Sequence, residues 1–184
     1  MNQLFLTLLG WMIVNNVLEE GRLCFDFTHC GTPTKFDTLH NSGLNAVDFV
    51  AENDRFLFFI EVKDYQNPNA PHEQQMEDYQ MLLLAGLKDE SVFALKMSSK
   101  MKDSLLRIYA EGGSFAKNVI YLLFIHLDKL SAEERGRLKL KISGHIPTGL
   151  NNDRFTAFGK ISFKLVDVQL LKRYCIICTE KSTS

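Results

Sequence analysis

The sequence predicts a mixed α/β fold organised around one β-sheet, and three observations support this class. Two segments of strand-like composition, 45–52 and 55–63, flank the turn residues Asn53 and Asp54, as in a β-hairpin. The almost unbroken apolar run over 118–127 is typical of a buried central strand. A helix-like segment lies between the hairpin and this strand. The chain has 184 residues, the length of one domain, so we expect a single domain over 1–184.

The elements of the amino-terminal half follow from periodicity and from turn residues. The apolar segment over 2–19 predicts a helix that stops at Gly21. Apolar and polar residues alternate over 23–27, which indicates a strand. The Gly, Pro, Thr, Asn and Asp residues over 30–42 indicate a loop. Proline suits the first turn of a helix, so the second helix is predicted to begin near residue 71 and to run to 87. We therefore expect a helix, a meander of three strands, and a second helix.

After the second helix, the predicted elements alternate between strand and helix. Residues 92–97 have strand character, and 99–111 predict a helix that stops at Gly112. Beyond the apolar strand, Ser131 and Glu134 have the spacing of a capping box, which marks the start of a short helix.

The carboxy-terminal segment is predicted to add strand and helix to the core. Alternating patterns indicate strands over 137–146 and 160–168, whereas 170–178 is compatible with either helix or strand. We expect 1–128 to form the core of the fold and 129–184 to elaborate it.

Charge is distributed unevenly along the chain. Residues 1–91 contain 5 Lys and Arg against 14 Asp and Glu, a net charge of −9, whereas 92–184 contain 16 against 8, a net charge of +8. The whole chain is nearly neutral, at −1, although nucleic-acid-binding domains are commonly basic. The asymmetry suggests one surface that holds a divalent cation and another that contacts a polyanion. Charges that are separated in sequence also intermix in space in some folds, so this alternative stays open.

No membrane span is predicted from the sequence. The apolar segment over 4–18 has no basic residue before it, and it is shorter than the roughly 20 residues of a spanning helix. We expect this segment to be buried in the core or at a homodimer interface. The chain has four cysteines, Cys24, Cys30, Cys175 and Cys178. Reduced thiols are favoured over a zinc or iron–sulfur site, and together these features favour a cytoplasmic location.

The predicted hairpin carries the charged residues that point to a chemical function. With a two-residue turn, paired residue numbers on the two strands add up to 107. Asp48, Glu61 and Lys63 then share one face, and the Cα atoms of Asp48 and Glu61 lie roughly 7–8 Å apart as diagonal neighbours. The opposite face is wholly apolar. Partly buried carboxylates are costly unless they are paired or bound to a metal, so the trio predicts a structural ion pair or a cation site.

Asp48, a gap of twelve residues and then Glu61-Val62-Lys63 resemble the signature of the PD-(D/E)XK nuclease superfamily. The resemblance implies a restriction-endonuclease-like three-layer core with a mixed sheet, built from a helix, a three-strand meander, a helix and a strand. It also implies that Asp48, Glu61 and the Val62 carbonyl bind Mg²⁺ or Mn²⁺, and that Lys63 positions the attacking water. In that family a glutamate of the first helix commonly joins the site. Glu19 and Glu20 are the candidates here, and we favour Glu20.

The helix after this signature adds a second point of resemblance. Gln75 and Tyr79 are four residues apart, hence on one helical face, and they resemble the Q-x-x-x-Y motif of the RecB-type branch. There they would border the active site and contact the substrate. Lys100 and Arg107 lie about two helical turns apart and are the first candidates for phosphate contacts. Val47 stands where the proline of the family name would be, so the match is weaker at Asp48 than at Glu61 and Lys63.

The sequence therefore predicts a divalent-metal-dependent nuclease that hydrolyses phosphodiester bonds in DNA and leaves a 5′ phosphate. The alternative is a noncatalytic module on the same fold that binds nucleic acid or protein. The resemblance covers about 1–128, and a homodimer through 4–18 is compatible with either function.

Overall fold

A computed structural model describes residues 16–38, 43–66, 73, 76–77, 80, 92–127, 130–150 and 159–181 of the chain. The elements in chain order are β1 (Val17–Glu20), β2 (Leu23–Asp26), β3 (Thr32–Lys35), β4 (Phe49–Glu52), β5 (Phe56–Asp64), α1 (Val92–Ala110), β6 (Asn118–His126), α2 (Ala132–Ser143), β7 (Ile161–Val166), α3 (Val168–Leu171) and β8 (Ile177–Glu180). The strands form two sheets with helices packed beside them. The predicted mixed α/β class is confirmed.

The larger sheet contains five strands in the order β3-β4-β5-β6-β7. β3, β4 and β5 are antiparallel neighbours, whereas β6 pairs in parallel with β5 and β7 in parallel with β6. The predicted strands over 118–127 and 160–168 are confirmed as β6 and β7. Most of β5 and β6 is buried on both faces, which explains why their sequences are almost continuously apolar.

The two faces of the larger sheet pack against different layers. Helices α1 and α2 cover one face, where Phe59 of β5 shares a hydrophobic core with Met97 of α1. The smaller sheet, β1-β2-β8, covers the other face, where Ile60 and Phe49 belong to the same core as Phe25. The rings of Phe25 and Phe49 are 5.4 Å apart between centroids. Successive residues of β5 thus enter different cores, as the two-residue period of a strand requires.

The connection between β4 and β5 is longer than the predicted two-residue turn. Glu52 pairs with Leu57 rather than with Arg55, so partner numbers add up to 109 and the predicted register is wrong by two residues. The Asn53 side chain explains the wider loop, because its Oδ1 accepts the backbone N–H groups of Arg55 and Phe56 at 3.0 and 2.9 Å. A shift of two residues preserves side-chain direction, so the residues of β4 and β5 keep their predicted faces.

Two predictions for the amino-terminal segment are wrong. Val17–Glu20 is a strand rather than the end of a helix, and Gly21, with φ of +56°, turns the chain directly into β2. The rest of the predicted helix over 2–19 lies largely outside the described residues. Thr32–Lys35, predicted as loop, is strand β3 and pairs with β4. Strand pairing decides both segments, β1 with the adjacent β2 and β3 with β4, because their own composition carries little strand signal.

The meander consequently has a different first strand from the predicted one. It consists of β3, β4 and β5, whereas the predicted strand over 23–27 belongs, as β2, to the smaller sheet. The sequence predicts one sheet, whereas the structure has two, because β2 pairs with β8 at the far end of the chain.

Two predicted strands of the second half are helical. Val92–Ala110 is one continuous helix, so the predicted strand over 92–97 is wrong. Ala132–Ser143 is also one helix, so the predicted strand over 137–146 is wrong. Leucine and lysine alternate there, but the burial of Leu138 and Ile142, four residues apart, selects the helical period.

Three further expectations for helices have different outcomes. The capping box between Ser131 and Glu134 is confirmed at the start of α2. The predicted helix over 71–87 is described at four positions, Glu73, Met76, Glu77 and Gln80, and all four are helical. The segment over 170–178 is divided between the end of α3, a 3₁₀ turn and the start of β8.

Within the described parts of the chain, no helix combines the length and the apolar character needed to cross a membrane.

All four cysteines are free thiols in the folded chain. Cys30 and Cys178 are buried, and burial is the main reason that the pKa of each is raised to about 12. Among the described residues, no cysteine belongs to a group of side chains arranged to hold a metal.

A charged network at the carboxyl end of β5 ties the smaller sheet to the larger one. Arg22, in the β1–β2 turn, donates from Nε to Asp64 Oδ2 at 2.9 Å, and His126 Nδ1 lies 3.0 Å from Asp64 Oδ1. Arg22 also contacts the exposed carboxylate of Glu180 at 2.9 Å. Burial opposes ionisation of Asp64, but its bonds with Arg22 and His126 outweigh burial and lower its pKa below the ordinary value of 3.8.

Replacing Asp64 with Asn is expected to lower the free energy of unfolding by about 1–3 kcal/mol near pH 7, because Arg22 loses its partly buried partner. Since the folded-state pKa is lowered, this contribution is present above pH 3.8 and disappears as the pH falls through the folded-state pKa. Urea denaturation of both proteins across this range measures the difference. Glu180→Gln is the control, with a change of less than about 0.5 kcal/mol. A difference between Asp64→Asn and the original protein that does not narrow in acid would contradict the assignment.

Candidate functional site

Seven charged side chains meet beside the larger sheet and form what we call the carboxylate–lysine cluster. Its members are Glu20, Lys35, Asp37, Asp48, Glu61, Lys63 and Lys100. They come from β1, β3, β5, α1 and the segment between β3 and β4. All four residues that the sequence predicted as catalytic, Glu20, Asp48, Glu61 and Lys63, belong to this cluster.

Glu61 is the most deeply buried member, with none of its surface exposed. Its Oε1 atom lies 2.6 Å from Lys63 Nζ and 2.7 Å from Lys100 Nζ. Both contacts are made by Oε1, whereas the buried Oε2 atom has no hydrogen-bond partner within the described chain. A buried carboxylate oxygen without a partner is uncommon and can accept a ligand.

Burial and neighbouring groups of opposite charge shift the pKa values of Glu61 and Lys100 in opposite directions. Burial is the largest influence on Glu61 and raises its pKa, helped by the negative charge of Asp48 and opposed by the two lysines. For Lys100, burial would lower the pKa, but Glu61 and Asp48 outweigh it and raise the pKa above the ordinary value of 10.5. Lys100 is therefore held as an ammonium ion beside two carboxyl groups.

Asp48 is held by the backbone of the neighbouring strand. Its Oδ2 atom accepts the N–H group of Val62 at 2.6 Å, and its Oδ1 atom lies 3.6 Å from Lys100 Nζ. The pairing of β4 with β5 ends at Phe49 and Ile60, so Asp48 and Glu61 are the next residues along the two chains. The two carboxylates share a contact with Lys100 Nζ.

Asp48 also belongs to a second group of carboxylates. One oxygen each of Glu20, Asp37 and Asp48 lie within 4.8 Å of one another. Lys35 Nζ is 3.1 Å from Glu20 Oε2 and neutralises part of this charge. Carboxylate oxygens at such separations suit hard cations such as Mg²⁺, Mn²⁺ and Ca²⁺.

The structure changes how Glu20 reaches the site and adds residues that the sequence did not indicate. Glu20 arrives at the end of strand β1, not at the end of a helix. Asp37 was missed because it follows β3, a strand that had been predicted as loop. The strand assignment of 32–35 is the signal that would have found Asp37 and Lys35, but it depends on pairing with β4.

The predicted substrate-binding residues have different surroundings. Lys100 lies inside the carboxylate–lysine cluster, and only 15% of its side chain is exposed. Arg107 has partners of its own: its guanidinium is 3.9 Å from the Phe36 ring centroid, donates to the Phe36 carbonyl, and lies 2.8 Å from Glu111. Gln75 and Tyr79 lie outside the described residues.

Metal binding by the Val62 carbonyl stays a prediction, and the N–H group of the same residue donates to Asp48.

Comparison with protein-family models, with curated proteins and with solved structures gives no match to this chain. Any function assigned to the carboxylate–lysine cluster therefore depends on its residues and their geometry.

Replacing Arg107 with Met is expected to lower the free energy of unfolding by about 1–2 kcal/mol, because Arg107 connects α1 to Phe36, the residue before Asp37. Chemical denaturation measures this change. Lys102→Met, an exposed change on the same helix, is the matched control, with an effect within about 0.5 kcal/mol. An Arg107→Met protein of unchanged stability that binds DNA more weakly would instead identify Arg107 as a substrate contact.

Proposed function

We propose that this protein is a divalent-metal-dependent nuclease that hydrolyses phosphodiester bonds in DNA through a PD-(D/E)XK-like site. The observation that carries the proposal is the meeting of Asp48, Glu61 and Lys63 in one cluster, with Glu20 contributed by a distant strand. The strand arrangement supports it as well. An antiparallel meander, β3-β4-β5, followed by a parallel strand, β6, is what a restriction-endonuclease-like core requires.

The residues of the site fit a divalent cation. Asp48 and Glu61 supply carboxylate oxygens, and the buried Oε2 atom of Glu61 has no hydrogen-bond partner within the described chain. Glu20 and Asp37 supply further oxygens next to Asp48. When bound, Mg²⁺ or Mn²⁺ would polarise the phosphate and lower the pKa of a water molecule. The residues to hold it are Asp48 and Glu61, with the Val62 carbonyl as the resemblance implies.

The side chains of this chain have distinct parts in that reaction. Lys63 is the most accessible group next to Glu61, with 24% of its side chain exposed. Its ammonium can orient water and stabilise the negative charge that develops on the phosphate. Glu61 holds Lys63 in place through the ion pair of 2.6 Å. The Val62 N–H group fixes the direction of the Asp48 carboxylate.

One observation favours the alternative, a noncatalytic module that binds nucleic acid or protein. Lys63 and Lys100 already neutralise Glu61, and Lys35 neutralises Glu20. A cluster balanced in this way can serve structure alone. The two functions differ in whether DNA is cleaved or only bound.

We expect the purified protein to cleave DNA in the presence of Mg²⁺ or Mn²⁺ and to lose that activity in EDTA. Asp48→Asn and Lys63→Ala should each lower the cleavage rate by about 10²-fold or more, because each removes charge stabilisation at the reacting phosphate. Cleavage of labelled single-stranded and double-stranded DNA, followed on gels, measures the rates.

Two control variants carry the same substitutions at positions outside the carboxylate–lysine cluster. Asp54→Asn, in the exposed β4–β5 loop, and Lys160→Ala, just before β7, should retain the original rate. Cleavage that survives both Asp48→Asn and Lys63→Ala would overturn the site. Binding of DNA without cleavage under every metal condition would favour the noncatalytic alternative.

A further inference from the structure

We propose that Lys100 is a built-in cation of the carboxylate–lysine cluster: its ammonium occupies the position between Asp48 and Glu61, and a divalent metal binds these carboxylates by displacing it. This inference deepens the proposed function and rests on it only in requiring a metal at the site. It assigns Lys100, predicted from sequence as a phosphate contact, the role of competing with the metal for these carboxylates.

The first argument is the geometry of the ammonium group. Lys100 Nζ contacts Glu61 Oε1 at 2.7 Å and Asp48 Oδ1 at 3.6 Å, whereas the ion pair of Lys63 is with Glu61. Lys100 thus bridges the same two carboxylates that the resemblance assigns to the metal. Metal–oxygen distances for Mg²⁺ are about 2.1 Å, so an ion shared by these oxygens needs the space that the ammonium fills.

The second argument is electrostatic. Without a metal, two carboxylates that are almost fully buried require neighbouring positive charge, and Lys63 and Lys100 provide it. With a metal present, Lys100 would be a third cation beside the same pair of oxygens. Repulsion between cations at such short range in a poorly solvated site favours the departure of the lysine.

The third argument is that hydrogen bonds fix the backbone of α1 around Lys100. The Ser104 hydroxyl donates to the Lys100 carbonyl at 2.8 Å and accepts the Val47 N–H group at 2.9 Å, next to Asp48. Tyr121 donates to the carbonyl of Met97, one turn earlier in α1, at 3.0 Å. Because α1 is anchored on both sides of Lys100, displacement requires only rotation of the flexible four-carbon stem.

The direct test is the affinity for Mn²⁺ in the absence of DNA, measured by isothermal titration calorimetry. When a site is partly occupied, the apparent affinity for the metal equals the intrinsic affinity multiplied by the fraction of molecules in which the site is free. If Lys100 fills the position more than about nine-tenths of the time, Lys100→Met should bind Mn²⁺ at least tenfold more tightly than the original protein. Lys96→Met, an exposed change one turn earlier on α1, should leave the affinity unchanged. Equal or weaker binding by Lys100→Met, or no binding by either protein, would overturn the inference.

A second measurement uses the unmodified protein, so it does not depend on whether Lys100→Met folds. Brief acetylation with and without saturating Mn²⁺, followed by peptide mass spectrometry, reports the accessibility of each lysine. We expect acetylation of Lys100 to increase several-fold with Mn²⁺, whereas the exposed Lys96 stays constant. In Asp48→Asn the increase should be lost. Protection of Lys100 that is the same with and without bound Mn²⁺ would refute the displacement.

These outcomes are separable from those of the proposed function. Tighter Mn²⁺ binding by Lys100→Met together with metal-dependent exposure of Lys100, but no DNA cleavage, would uphold the exchange and refute the nuclease. Metal-dependent cleavage with Lys100 equally protected in both states would uphold the nuclease and refute the exchange.

Discussion

The structure depends on one constraint, the placement of a carboxylate inside the central strand of a sheet. Glu61 lies on β5, between β4 and β6, and is fully buried. An isolated charge in such a position would be strongly destabilising. Lys63 from the same strand and Lys100 from α1 therefore approach the same oxygen within 2.7 Å. Buried charged clusters of this kind are concentrated at functional sites, and they also occur as structural ion-pair networks.

This constraint also explains why α1 lies where it does. The helix contributes apolar side chains such as Met97 and Met101 to the core above the larger sheet, and it brings Lys100 to the edge of that core. Ser104 connects the helix to Val47, and Arg107 connects it to Phe36. The helix thus contacts the residue before Asp37 and the residue before Asp48. Both aspartates lie between β3 and β4, and these contacts help to position that segment beside β5.

The opposite face of the larger sheet has a structural role. There the smaller sheet packs with aromatic residues, and the Arg22–Asp64–His126 network fixes the β1–β2 hairpin to the carboxyl end of β5. The same hairpin ends β1 at Glu20, which reaches the acidic group formed with Asp37 and Asp48. The attachment of the smaller sheet therefore places one member of the candidate site. A substitution that weakens this network would therefore also change the position of Glu20, because Arg22 and Glu20 belong to the same hairpin.

The sequence by itself determined that Asp48, Glu61 and Lys63 share one face, because strand periodicity is local and survived an error of two residues in register. It also determined the buried strand β6 and the capping box of α2, which depend on neighbouring residues. It did not determine the helical state of 92–97 or of 137–146, where short patterns suit both periods and burial decides. Only the tertiary structure decided that β3 is a strand, that Lys35 and Asp37 join the site, and that Lys100 pairs with its carboxylates. Those choices depend on pairing and packing between residues far apart in the chain, and no local pattern encodes the free energy of such contacts.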